Sequence, residues 1–108
     1  MPLTVSVLRK ARADVVEIYV WLAKRSEQGA DRWYEAYLDA ISRLETDAHM
    51  HAKAMESRKL KIDLRESYFK TASGNRYRLL FLITQNEVQV LRVRAPGRRL
   101  VTKRDIRT

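Results

Sequence analysis

The stretch Tyr77-Arg78-Leu79-Leu80-Phe81-Leu82-Ile83, followed by Gln85-Asn86 and then Glu87-Val88-Gln89-Val90-Leu91-Arg92-Val93-Arg94, decides the fold. Tyr77, Leu79, Phe81 and Ile83 alternate with Arg78, Leu80 and Leu82, so this segment reads as a strand that is apolar on both faces and hence central. Gln85-Asn86 is a tight hairpin turn. The strand after it changes character halfway. Val88 and Val90 are predicted to share a face with Arg92 and Arg94, with Leu91 and Val93 on the other. Pro96-Gly97 ends it, and residues 98–108 form a basic tail with one helical turn at most.

Working back towards the N-terminus, Ser73-Gly74-Asn75 is a turn signal, and Leu60, Ile62 and Leu64 alternate with Lys59, Lys61, Asp63 and Arg65 as a second strand. Residues 46–58 carry no period and read as an irregular crossing segment. Before them the period is helical. Ala30, Trp33, Tyr37, Ile41 and Leu44 mark one helix face, and Ala11, Val15, Ile18 and Leu22 mark another, with Ser26-Glu27-Gln28-Gly29 as the break between them. Leu3, Val5 and Val7 alternate with Thr4 and Ser6 as a half-buried opening strand. The order is β-α-α-β-β-β: an α+β fold, with a helical hairpin packed on one face of a small, mostly antiparallel sheet. The other face is left open for the arginines of the last strands. At 108 residues the chain reads as one domain, 1–108.

Charge follows the same division. Residues 1–57 hold eight Lys/Arg against nine Asp/Glu, a net of −1, whereas residues 58–108 hold fourteen against four, a net of +10. Such an excess repels itself and is balanced by an anionic partner: nucleic acid or an acidic protein. There is no cysteine, which excludes disulfides, thiolate chemistry and Cys-based zinc sites and fits a reducing cytoplasm. The apolar run at residues 3–7 precedes its charges and is too short for a leader or a membrane span. No membrane partner is expected. His49 and His51 lie in the aperiodic segment. With Asp47 and Glu56 they match no metal-ligand spacing, so no metal and no cofactor is expected. Glu56 is placed to bond an arginine and brace the second strand.

Element order, length and several residue clusters together resemble the RelE/ParE superfamily of bacterial toxins from type II toxin–antitoxin operons. The clusters are Ala11 through Tyr19, Trp33 with Ala40-Ile41 and Leu44, Glu56, Leu64-Arg65, Tyr77-Arg78-Leu79-Leu80-Phe81, and Val90-Leu91-Arg92-Val93 followed by Gly97-Arg98-Arg99. The resemblance spans nearly the whole chain. It implies a cytoplasmic, plasmid-stabilising type of toxin held in a hetero-oligomer by a cognate antitoxin. One branch of the superfamily binds and poisons DNA gyrase. The other is a metal-independent, ribosome-dependent mRNA endoribonuclease.

By that resemblance, Arg78 matches the nuclease branch's central-strand arginine, Arg99 its arginine after the last strand, and Lys61 or Arg65 its second-strand lysines. Its C-terminal tyrosine has no counterpart, because Asp105 stands there. Cleavage through a 2′-hydroxyl needs one group to take a proton and another to return one, and arginine stays protonated near neutral pH. Arg78, Arg99, Lys61 and Tyr68 are the candidates for catalysis; of the two phenols on or near the last strands, Tyr77 faces with Leu79 and Phe81, which leaves Tyr68 the better placed to stand in. Arg65, Arg78, Arg92, Arg94, Arg98 and Arg99 are the candidates for holding the target or nucleic acid. Trp21, Arg92 and Arg94 are the candidates for holding the antitoxin. The missing tyrosine favours gyrase over mRNA as the target. A non-toxic basic nucleic-acid-binding module is the reading from another class, against which the basic face lacks interleaved stacking aromatics.

Overall fold

A computed structural model describes residues 2–107. Strand β1 spans Thr4–Val7, α1 Arg9–Ala23 and α2 Glu27–Asp47; a single 3₁₀ turn follows at Ala48–Met50. Then come α3 at Glu56–Leu60, β2 at Arg65–Phe69, β3 at Tyr77–Ile83, β4 at Glu87–Arg94 and α4 at Lys103–Ile106. The sheet order is β1-β4-β3-β2. Neighbours are antiparallel except β1 and β4, which run parallel with Val7 beside Val90. The α+β layout expected from periodicity is therefore present, with both β3 and β4 interior to the sheet.

The α1–α2 break is tighter than its sequence suggests. Ser26 is the N-cap of α2, and its Oγ accepts the Gly29 N–H at 3.0 Å. Glu27, Gln28 and Gly29 thus begin the second helix rather than separate the two, because a capped first turn satisfies a donor that a loop would leave to water. The hairpin lays Ala11, Val15, Trp33, Tyr37, Ala40 and Leu44 on the sheet, against Tyr77, Leu79, Phe81, Val88, Val90 and Val93.

Two expectations are corrected here. The alternating run at residues 59–65 is not a strand. Residues 56–60 form α3, Lys61 takes a left-handed conformation at φ 57°, and the strand begins only at Arg65. The left-handed residue ends the helix, with the Lys61 and Ile62 amides returning to the carbonyls of Arg58 and Ser57. That reversal sends Leu60 and Leu64 inward, where they join Leu80, Leu91 and Val101 in a second, smaller apolar cluster. The sheet's second face is consequently covered, not open. Three leucines of β3 and β4 on that face (Leu80, Leu82 and Leu91) require such cover.

The second correction concerns β4. Leu80 pairs with Arg92 but Phe81 pairs with Val90, so Leu91 is the extra residue of a β-bulge. The bulge resets the alternation. Val88, Val90 and Val93 all reach the helical face, while Arg92 and Arg94 share the opposite face with their partners Leu80 and Arg78. Val88 and Val90 therefore do not share a face with the two arginines.

Candidate functional site

The second face carries a chain of ion pairs built from the arginines of the basic half. Arg78 on β3 donates to both oxygens of Glu56 at 3.0 and 2.7 Å and to Glu66 at 3.0 Å. Glu56, only 3% exposed at the start of α3, also accepts the Val101 N–H at 3.0 Å. Burial alone would raise its pKa, but these hydrogen bonds prevail and hold it at about 2. The expected bracing role of Glu56 thus takes the form of a clasp joining α3, β3 and the tail.

Arg92 on β4 donates to both oxygens of Asp14 in α1, at 2.7 and 2.8 Å, and to the Asp105 carbonyl at 2.9 Å. Arg99 donates to both oxygens of Asp105 at 2.6 and 3.1 Å. Asp105 in turn accepts the Thr102 N–H at 2.8 Å, completing the cap of α4. Its pKa is held far below the usual range, chiefly by Arg99 and against its own desolvation. Asp105 is therefore a carboxylate locked as an anion.

Other candidates fall elsewhere. Arg94 is 4% exposed, reaches only the Arg99 carbonyl at 2.8 Å, and has no carboxylate within 4.0 Å among the described residues. Burial and the neighbouring Arg92 and Arg98 lower its pKa. Arg65 donates to the backbone carbonyls of His49 and His51 at 3.3 and 2.6 Å, so it braces the residues before α3. His51 itself meets Asp47 at 3.1 Å and sets its ring edge against Phe81. Lys61 lines a concavity of about 660 Å³ with Lys53, Arg58 and Asp63, apart from the Arg78 clasp. Trp21 is 53% exposed on α1, with the Arg25 guanidinium 4.2 Å from its ring centre.

One open pocket does gather several of the named groups. About 340 Å³ lies between β2, β3 and the turn after β4, bounded by Tyr68, Arg76, Arg78 and Arg98. Sequence reasoning passed over Arg76, which sits 4.0 Å over the Tyr68 ring. Its position just before β3 put it beside the Ser73-Gly74-Asn75 turn, where it read as loop. Burial and the neighbouring Glu66 carboxylate raise the Tyr68 pKa above its ordinary value. A phenol raised in this way is a poorer base at neutral pH. The pocket can hold an anion through Arg76 and Arg98; Arg78 is already taken by its two glutamates. Among the described residues no three His, Asp or Glu side chains are grouped to hold a metal ion.

A helical hairpin thus lies on a four-stranded sheet whose other face carries the ion pairs and the basic tail. The chain belongs to the family described as ParE toxin of type II toxin-antitoxin system, parDE, whose model matches residues 5–99. Among solved structures it is similar to the chromosomal ParDE TA system from P. aeruginosa, with 18% identity and a TM-score of 0.63. That likeness covers 85% of this chain and 94% of the other and speaks for the fold. No curated protein matches the sequence.

Proposed function

We propose that this ParE-family toxin arrests growth by binding DNA gyrase and is neutralised, in the cytoplasm, by an acidic cognate antitoxin. The observation that carries the choice of target is the state of the arginines. Arg78, Arg92 and Arg99 each form a bidentate pair with a carboxylate of the same chain. A nuclease needs such groups free to meet a scissile phosphate, and it needs a base. Here the tail position is an ionised Asp105, and the phenol in the pocket with Arg76 and Arg98, Tyr68, titrates above its ordinary value. A binding toxin needs neither proton transfer. It needs a rigid scaffold with exposed cations, and Arg76 and Arg98 supply those.

The test is direct. Purified chain added to gyrase should inhibit supercoiling or accumulate cleaved gyrase–DNA complexes, while mRNA on ribosomes stays intact. Codon-phased cuts with gyrase unaffected would reverse the assignment. The runner-up, a ribosome-dependent endoribonuclease, is favoured by one feature only: Tyr68, Arg76 and Arg98 face the same pocket. Under that reading Tyr68→Phe abolishes cutting. Under the gyrase reading the same change leaves inhibition in place.

A further inference from the structure

The outer face of the helical hairpin, turned away from the sheet, carries exposed apolar side chains. Val16 and Val20 on α1 are 61% and 47% exposed, and Tyr34 and Leu38 on α2 are 40% and 46% exposed. Each pair belongs to a stripe, and the two stripes share one spacing. Along α1, Arg9, Val16 and Val20 follow at seven and then four residues, with Lys24 four further on. Along α2, Glu27, Tyr34 and Leu38 repeat the seven and the four, with Glu45 seven further on. At about 3.6 residues per turn, each set falls within a narrow arc of its helix. Val16 and Tyr34 line one concavity of about 310 Å³, so they lie level with one another. The Tyr19 hydroxyl fixes that level by donating across the same concavity to Asp31 at 2.6 Å. Arg9, Lys24, Glu27 and Glu45 are all exposed, and among the described residues none has an ion-pair partner. The face is thus apolar at its centre, with free cations at both ends of α1 and free carboxylates at both ends of α2.

We propose that this face docks on the same face of a second copy of the chain, with α1 of each copy lying along α2 of the other. Charge decides between the two ways in which a two-fold axis can bring the faces together. With the axis along the helices, Val16 of one copy meets Tyr34 of the other, and the reverse. Counting from that level at about 1.5 Å per residue, Lys24 and Glu27 stand about 12 and 10 Å away in one direction. Arg9 and Glu45 stand about 10 and 16 Å away in the other, a gap that an arginine side chain spans. Opposite charges therefore meet at both ends. With the axis across the helices, α1 lies on α1 and α2 on α2, so cations face cations and carboxylates face carboxylates. Net charge favours the same surface. Residues 1–57 sum to −1, whereas Arg78, Arg92 and Arg94 of the basic half lie on the sheet face away from the hairpin. Hairpin-to-hairpin packing keeps the two cationic faces at opposite ends of the pair. Four apolar side chains from each copy make an interface below the standard size, which gives a weak dimer. The inference holds for the chain by itself and does not depend on the toxin's target.

Sedimentation velocity of the purified chain from about 10 µM to about 1 mM should show a monomer–dimer equilibrium with a Kd of about 100 µM. Leu38→Glu, at an exposed site, should keep the melting temperature and hold the chain monomeric over that range. Lys24→Glu and Glu27→Lys should each weaken the dimer about tenfold, because each alters two symmetry-related contacts. Combined in one chain, the two changes should restore it. Met50→Glu, 83% exposed but off both stripes, should leave the equilibrium where it was. A chain monomeric to about 1 mM, or a dimer indifferent to Leu38→Glu, would overturn the proposal. A dimer strengthened by Lys24→Glu would overturn it too, since that result sets α1 against α1. So would a monomer whose Tyr34 signals move only when the antitoxin is added, which gives the face to that partner instead.

Discussion

Asp14 and Arg92, 78 residues apart in sequence, meet through two hydrogen bonds of 2.7 and 2.8 Å, and the same Asp14 carboxylate accepts the Val93 N–H at 2.9 Å. The first helix is thereby fastened to the last strand just beyond its bulge. Both side chains are largely buried, so removing one leaves the other charge stranded in a poor solvent. Asp14→Ala or Arg92→Ala should each cost about 3–5 kcal/mol. The double replacement should cost less than the two singles together, as urea denaturation of the four proteins would show. Additive losses would mean that the pair does not act as a unit.

Glu56 gives the fold an acid limit. Its pKa falls from 4.5 to about 2 on folding, so the folded state binds its proton less readily than the unfolded one. The resulting stability is fully present above the unfolded value and is lost as pH falls from about 4.5 through about 2. The shift corresponds to about 3 kcal/mol. Asp105, shifted the same way, adds to the loss in the same direction. Unfolding free energies measured from pH 6 to pH 2 should fall steeply below pH 4.5. In Glu56→Gln that fall should be shallower, from a lower starting stability.

Phe81 is fully buried between the hairpin and the sheet. Phe81→Ala should cost about 3–5 kcal/mol, a large share of the stability of a chain this size. Thermal melting reads it directly. A midpoint within a degree or two of wild type would place Phe81 outside the core.

Association with an acidic antitoxin should be steered by the exposed cations, Arg76 and Arg98, rather than by the ion-paired Arg92. Arg76→Glu with Arg98→Glu should slow association and flatten its salt dependence without moving the melting temperature. Arg92→Glu should instead lower the melting temperature, because it sets a third carboxylate against Asp14 and Asp105. Stopped-flow mixing at two ionic strengths, beside thermal melts, separates the two effects.

Most of the architecture is legible in periodicity. Leu79 and Phe81 alternate cleanly, the stripes from Ala11 and Trp33 run at helical spacing, and Gln85-Asn86 marks the hairpin. What misleads is local. Leu60, Ile62 and Leu64 imitate a strand because a five-residue helix and one left-handed residue place apolar groups at the same intervals. The bulge at Leu91 leaves no glycine signature, so the facing of Arg92 and Arg94 cannot be read from alternation. The candidate site was legible as residue types but not as partners. Asp14 and Glu56 lie in the acidic half, and only the tertiary fold brings them to Arg92 and Arg78.

The parallel pairing of β1 with β4 has a consequence for the chain's birth. Thr4–Val7 find their sheet partner only when Glu87–Val90 have been synthesised. A nascent chain stopped anywhere earlier has an unpaired first strand and a hairpin without the completed sheet beneath it. Contacts of such sequence separation carry a large loop-closure cost, so the sheet cannot close ahead of its final strand. Messages broken or stalled before that point yield fragments that lack the completed sheet.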